Sequence, residues 1–403
     1  MTESIAMETS ARAEAISAGA TPGLIELALA VGGFAIGTGE FAIMGLLPDV
    51  ARGFQVTEPQ AGYVISSYAL GVVVGSPIIA VLAAKLQRRT LLLGLMAMFV
   101  LGNIASALAQ GFWPLVGMRF ITGMPHGAYF GVAALVAAGM APWEKRAQAV
   151  GRIMLGLTVA TLIGTPAATW LGQVMGWRMA FALVGAIGAI TVAMIFIFLP
   201  ITSEKASSPL VELGALKRKQ VWLTLGIAAV GSGGMFAVFS YVAPTLIKVS
   251  GVPESYVPFV LCVFGVGMIL GNIIGAKLAD RSLMGTIGGM LVYNGCIGLL
   301  FLVTAHNPWT ATLTILLLGF NFAICPAVQT RLMDVAADAQ TLAASLNHSA
   351  FNIANALGAW LGGLTIAAGY GWTSTGVVGA CLAACGLVIF AISYGLDRAS
   401  GRG

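Results

Sequence analysis

The sequence predicts an all-α membrane protein with twelve transmembrane helices, arranged as two parallel six-helix repeats. Three observations carry that prediction: the scarcity of charge, the length of the uncharged runs, and a sustained internal offset between the two halves. Of 403 residues, 58% are hydrophobic and 9% are charged, whereas soluble domains carry about 25% charge. The mean hydropathy is +0.94. This balance argues against an aqueous enzyme, a nucleic-acid binder and a disordered scaffold. The net charge of +5 is spread over short loops between apolar runs and forms no basic face. Cys262, Cys296, Cys325, Cys381 and Cys385 lie inside apolar segments without a CxxC pair. They read as small apolar residues, with neither a disulfide frame nor a metal site.

A helix crosses a hydrocarbon core of roughly 30 Å with about 20 apolar residues. Residues 1–24 hold three Glu and one Arg and read as a cytoplasmic N-terminal tail. Six spans follow, at 25–48, 61–84, 90–110, 112–140, 147–172 and 178–200. They form an N-terminal bundle over 25–200. The longest internal polar break, 201–220, includes Ser207-Ser208-Pro209 and Lys217-Arg218-Lys219 and reads as a cytoplasmic linker. The C-terminal bundle, 221–396, opens with an uncharged run from Val221 to Ile247 (span 221–247), then 255–279. Ser282 to Thr330 holds two spans, 285–305 and 308–330, broken at His306-Asn307-Pro308. Ala339 to Leu396 holds two more, 341–368 and 373–395, turning near Gly369-Tyr370-Gly371-Trp372, before a cytoplasmic tail at 397–403. The alternating ten-residue segments of a membrane β-barrel do not occur.

Assigning the loops alternately to the two faces puts sixteen basic residues on one and only Arg52, Arg178 and Lys248 on the other. Cytoplasmic loops retain Lys and Arg, so both termini are expected in the cytoplasm. The halves also repeat each other. Gly71, Gly75, Trp113 and Gly123 recur 196 positions later as Gly267, Gly271, Trp309 and Gly319. Phe41-Ala42 and Gly176-Trp177 recur 195 positions later as Phe236-Ala237 and Gly371-Trp372. Both halves start on the same face, so they are parallel repeats about an axis along the membrane normal. Two such bundles can rock about a central cavity, which is a transporter architecture.

Local motifs carry a resemblance to a known family. Ala80 to Arg89, which includes Ala84, Lys85, Gln87, Arg88 and Arg89, and Gly275 to Arg281, ending in Asp280-Arg281, resemble the G-x-L-a-D-R-x-G-R-R loop of the major facilitator superfamily. Arg119-Phe120-Ile121-Thr122-Gly123 is similar to its R-x-x-x-G motif. Gly156 to Pro166, with Gly164, looks like the glycine-proline motif of its antiporter branches. The first span, with Gly37-Thr38-Gly39-Glu40-Phe41, is similar to the twelve-span drug:proton antiporters of the arabinose-efflux-permease-like group. The resemblance covers 25–396 and implies conformational gating by Arg88, Arg89, Gly164, Pro166, Asp280 and Arg281. Ala84 and Gln87 depart from the first loop's acidic residue and second glycine, so the second loop is expected to carry more of the latch.

Ionisable groups within the spans are few, and each costs roughly 2.5–3.5 kcal/mol at the bilayer centre. Glu40 lies about 12 Å below the outer end of the first span if that helix runs to Pro48, and Arg119 about 10 Å down the fourth. A contact is open to them if these spans are neighbours. Either Glu40 accepts the driving proton or the substrate while Arg119 tunes it, or the two form a static ion pair. His126 shares Arg119's face two turns on, as a proton relay or as a neutral core residue. His348, Asn352 and Asn355 share one face of the eleventh span and are expected to line the cavity. Tyr68, Asn103, Tyr129, Phe239 and Tyr241, with Met235, are further cavity candidates, Asn103 also fitting a packing hydrogen bond. Small residues recur every fourth position at 156–172, 123–131 and 267–275. They are expected to let helices pack closely and the halves slide on one another. Pro166 is expected to bend the fifth span.

Together these features predict proton-coupled efflux of a small organic solute (a drug, sugar or nucleobase-like metabolite) by alternating access in a bacterial inner membrane. The alternatives are a proton-coupled importer and a membrane sensor that kept the fold. The expected partners are a small-molecule substrate, protons and lipid, for a monomer with no cofactor, no metal, no nucleic acid and no enzymatic chemistry.

Overall fold

The structure is a computed structural model that describes residues 21–82, 86–141, 146–201, 214–336 and 340–399. Ala84, Lys85 and most of both tails lie outside the described residues. Among the described residues, twelve helices are long and apolar enough to cross a membrane. They are α1 (Pro22–Gly45), α2 (Glu58–Ile79), α3 (Arg88–Ala107), α4 (Phe112–Ala137), α5 (Gly151–Met175) and α6 (Arg178–Phe198). In the second half they are α7 (Lys219–Ser240), α8 (Glu254–Arg281), α9 (Leu283–Thr304), α10 (Pro308–Ala336), α11 (Leu346–Ala367) and α12 (Ser374–Arg398). No β-strand occurs among the described residues.

The ends of α1 and α7 differ from the expected extents, and in the same way. α1 stops at Gly45, three residues short of Pro48. Leu46 turns out of helical geometry (φ −106°, ψ 11°), and a short helix, Leu47–Phe54, starts with Pro48 in its first turn. Proline suits that place because its missing N–H is one a helix start leaves unpaired anyway. α7 stops at Ser240, Tyr241 makes the equivalent break (φ −114°, ψ 21°), and Val242–Lys248 follows. Leu46 and Tyr241 stand at the same 195-residue offset as Phe41 and Phe236. The internal repeat therefore extends to backbone irregularities. At the other end of the chain, the last helix runs on to Ala399, and a buried Asp397 bonds Arg331. That residue belongs to the helical bundle, beyond the expected end at 396.

At Pro166 the helix changes its hydrogen-bonding pattern. Proline has no N–H to return to the carbonyl four residues back, and the turn before it widens into a π-helix over Ala160–Gly164, where the Thr165 N–H reaches Ala160 O. A second wide turn, Ile227–Gly231, interrupts α7.

The small-residue stripes do not face the partner half, which corrects the expectation of sliding. A Cβ on Gly156 would lie 2.1 Å from Ala30 O, and one on Gly164 2.1 Å from Thr38 Oγ1, both on α1. Gly123 and Gly127 meet α2 in the same way, and Gly267, Gly271 and Gly275 meet carbonyls of α10. The stripes thus close each half internally, by backbone approach that a side chain would prevent. Gly164 belongs to that packing. A glycine that does seat one half on the other, backbone against backbone, is Gly265 on α8, where a Cβ would lie 2.7 Å from Leu162 Cα in the wide turn of α5.

The halves are tied at the face opposite the termini. Arg52 reaches Glu254 at 2.5 Å, Lys248 pairs with Glu58, and Gln173 Nε2 donates to Glu254 O at 3.1 Å. Among the described residues, both carboxylate–cation pairs that join the halves lie on this face. Asp49, beside Arg52 at 2.8 Å, is held above the usual aspartate range by burial and, to a smaller extent, by Glu254. Arg52 is raised by its hydrogen bond to Glu254. At the termini's end, Arg89 donates to Phe196 O at 2.6 Å and Arg88 to Leu135 O at 3.5 Å, both within the N-terminal half. Asp280 and Arg281 form the last turn of α8 and make no ion pair among the described residues. Among the described residues, the ion pairs that tie the halves are thus at the opposite face from Asp280 and Arg281.

Candidate functional site

The second half of α1 is buried on every side from Ala35 to Gly45. A helical segment without a lipid or water face is held by neighbours throughout, so the one carboxylate of this segment, Glu40, sits in a protein-lined centre with 5% of its surface exposed. Arg119 comes from α4 and is fully buried. Its Nη2 donates to Gly39 O at 3.0 Å, and its Cζ stands 4.2 Å from the ring centre of Tyr68 and 5.4 Å from that of Phe181. The guanidinium therefore rests between two aromatic faces and an α1 carbonyl, the setting of a desolvated cation–π contact. Nε and Nη1 have no partner.

The equal depths of Glu40 and Arg119 in sequence correspond to one neighbourhood in the fold, but the static pair does not form. The Glu40 carboxylate has no Lys or Arg within ion-pair distance among the described residues. Its neighbours are His126, with Nδ1 4.0 Å from Oε2, and Asn355 of α11, whose Nδ2 donates to Oε1 at 3.4 Å. Tyr68 lies on α2 and its hydroxyl is 3.1 Å from His126 Nδ1. His348 approaches from the other half, stacked on Phe130 at 5.0 Å and 6.0 Å from the His126 ring. Six candidates, Glu40, Tyr68, Arg119, His126, His348 and Asn355, thus converge on one buried polar cluster at the boundary of the two halves.

The remaining candidates stand elsewhere. Tyr129 donates to Leu29 O at 2.8 Å and fills the space a Cβ on Gly32 would need, so it ties α4 to α1 inside one half. Asn103 donates to Phe99 O at 2.9 Å on its own helix. Asn352 likewise turns back to His348 O at 3.0 Å. Phe239 stacks on Phe264 at 3.7 Å and meets Phe41 edge-on at 6.1 Å, so it does reach the other half. Tyr241 donates to Ala359 O at 2.7 Å, and its hydroxyl lies against Gly62 of α2, beneath the ion pairs of the opposite face.

The residues missed from sequence are Ser232, Asn294 and Asn321. Asn321 Nδ2 donates to Asn294 Oδ1 at 2.9 Å, and Asn294 Nδ2 donates to Gly231 O, in the wide turn of α7, at 2.7 Å. They border a small cleft with Met235, Met290, Phe322 and Phe351. Ser232 Oγ and Asn321 Oδ1 have no partner. The signal that points to them is the repeat itself: Glu40 and His126, advanced by 195 and 196, fall on Met235 and Phe322 of this cleft.

The sequence profile of the Major Facilitator Superfamily matches residues 29–347. The inner membrane transport protein YdhP of Escherichia coli (strain K12) is 42% identical over 369 residues, covering 91% of this chain and 95% of that protein. A probable sugar efflux transporter of Pasteurella multocida (strain Pm70) is 30% identical over 369 residues, covering 90% of each. The solved structure of a D-xylose–proton symporter superposes with a TM-score of 0.71 at 17% identity, over 92% of this chain and 97% of that one, a likeness of fold.

Proposed function

The chain belongs to the major facilitator superfamily and is one of its transporters, and from that premise we propose that it exports small organic solutes in exchange for protons. The two bundles rock about the boundary that holds Glu40, with the face of Arg52 and Lys248 closed in the present conformation. The loop charges support placing that face outside a bacterial inner membrane and both termini inside. YdhP, named as an inner membrane protein, supports the same location.

One observation carries the coupling: Glu40 is a buried carboxylate without a fixed cationic partner among the described residues. A charge in that position is tolerated only when something neutralises it. A proton, exchanged as the boundary opens to one side and then the other, does so reversibly. His126 stands 4.0 Å from Glu40 and faces the Tyr68 hydroxyl at 3.1 Å, and Arg119 holds the α1 backbone beside it. For cargo, the sugar-efflux relative supports an uncharged hydroxylated solute, such as a sugar, ahead of drugs or nucleobase-like compounds.

The test is a panel of radiolabelled sugars, nucleobases and cationic dyes preloaded into cells that overproduce the wild type or Glu40→Gln. Faster loss of at least one solute from wild-type cells, abolished in Glu40→Gln, is expected. Accumulation of a solute in place of loss would make the protein an importer. Efflux by Glu40→Gln that still follows the proton gradient would remove Glu40 from the coupling.

A further inference from the structure

Asn355 differs from the other buried amides of the spans. Asn103 and Asn352 each donate one turn back along their own helices, which satisfies a donor and joins nothing. Asn294 and Asn321 join helices of one half. Asn355 is fully buried, its Oδ1 has no partner, and its one described hydrogen bond leaves α11 for Glu40 on α1, in the other half. The next residue repeats the crossing: Ser66 Oγ of α2 donates to Ala356 O at 3.4 Å.

We propose that Asn355 is a positioning residue through which the proton on Glu40 is transmitted to the C-terminal half, an inference that rests on Glu40 carrying the coupling proton. The groups around Glu40 sort by half. Arg119 and His126 of α4 and Tyr68 of α2 belong to the same half as Glu40 and move with it. From the other half come His348, whose ring stacks on Phe130, and Asn355, which makes the hydrogen bond. An amide N–H bonded to a carboxylate is charge-assisted and about twice as strong as a neutral bond. Charged Glu40 therefore holds α11 against α1 in the conformation closed at the Arg52–Glu254 face. A proton arriving on Glu40 removes the charge, weakens the bond across the boundary, and releases the halves toward opening on that face.

The experiment reads the opening directly and needs no substrate. Trp113 and Trp309 are exposed, repeat-related residues at the start of α4 and α10 on the closed face. Spin labels at Trp113→Cys and Trp309→Cys, with the five native cysteines replaced by alanine, report the distance between the halves in proteoliposomes from acid to alkaline pH. The wild-type background is expected to widen on acidification, and Glu40→Gln to lose that response. Asn355→Leu is expected to lose more than half of its amplitude, with Asn355→Gln restoring most of it. Asn355→Asp, which places a second carboxylate beside Glu40, is expected to move the midpoint up by about one pH unit or more, and it tests the contact if the leucine variant fails to fold. A flat Glu40→Gln response, with both Asn355→Leu and Asn355→Asp behaving as wild type, would overturn the role of Asn355 alone. A response that persists in Glu40→Gln, or a wild type insensitive to pH, would overturn the reading of Glu40 as well.

Discussion

The two halves share a scaffold and differ in what they bury at its centre. In the N-terminal half the central positions hold Glu40, Tyr68, Arg119 and His126. Their repeat-mates in the C-terminal half are Met235, Phe264, Ile315 and Phe322. There the polar groups inside the bundle are the neutral Ser232, Asn294 and Asn321, His348 is the imidazole this half brings to the boundary, and among the described residues its only buried carboxylate is Asp397, near the end of α12. Amides and hydroxyls bond a ligand without titrating, whereas carboxylate and imidazole take up and release protons. Under the proposed function, proton chemistry falls to the half that holds Glu40 and neutral recognition to the other, with His348, Asn355 and Phe239 crossing between them. It also explains how the repeat in helix length, glycine position and backbone break survives while the central chemistry does not. The scaffold constrains small residues at helix crossings and leaves the central side chains free to diverge.

The largest expected effect comes from erasing the contrast. Met235→Glu puts a carboxylate at the mate of Glu40 without the neighbouring arginine, and is expected to cost roughly 2.5–3.5 kcal/mol, read as a fall in folded yield and in midpoint of thermal unfolding in detergent. An unchanged midpoint would mean that the second half tolerates charge as the first does. Asn321→Leu removes the donor to Asn294 and leaves a buried carbonyl unpaired, a loss of about 1–3 kcal/mol. The same unfolding assay checks it, and proton coupling is expected to persist.

Gly265→Leu sharpens the boundary between the halves rather than either interior. Its side chain has to enter the α5 backbone at Leu162, so transport is expected to fall far more than expression. Gly117→Leu is the control, because nothing lies within 4 Å of a Cβ there. Equal losses in transport and expression for Gly265→Leu would reduce that contact to packing. The smallest effect is at the closed face. Asp49 sits above its usual range in the folded protein, so stability falls as the pH rises from the unfolded value to the folded one, and the loss is complete above it. Asp49→Asn is therefore expected to raise thermal stability slightly at neutral pH. The gain vanishes in acid, below the unfolded value, where the carboxyl is already protonated in both states. A gain of equal size at both pH values would contradict the sign.

Much of the fold was legible because its signals are local or arithmetic. Uncharged runs fix where helices cross, and the offset of 195–196 pairs the halves without reference to contacts. Sequence reasoning failed where the answer depends on which way a side chain turns. The depths of Glu40 and Arg119 agree, yet Arg119 spends its one described hydrogen bond on Gly39 O and Glu40 faces His126 and Asn355. Glycine stripes show that something packs closely, but their direction is set by helix rotation, which periodicity does not encode. Tyr129 was placed with the cavity by residue type alone, and the backbone carbonyl of Leu29 claims it. Asn294 and Asn321 are isolated amides in long apolar runs, and such residues look alike whether they bond their own helix or a neighbouring one.

The division of labour is tested most directly by proton-gradient-driven solute movement in inverted vesicles carrying wild type, Glu40→Gln or Asn321→Leu, with vesicle pH followed alongside the solute. Solute-induced proton movement is predicted to disappear in Glu40→Gln and to persist in Asn321→Leu, whose solute preference shifts instead. Proton movement that survives in Glu40→Gln, or is lost equally in both variants, would contradict the account.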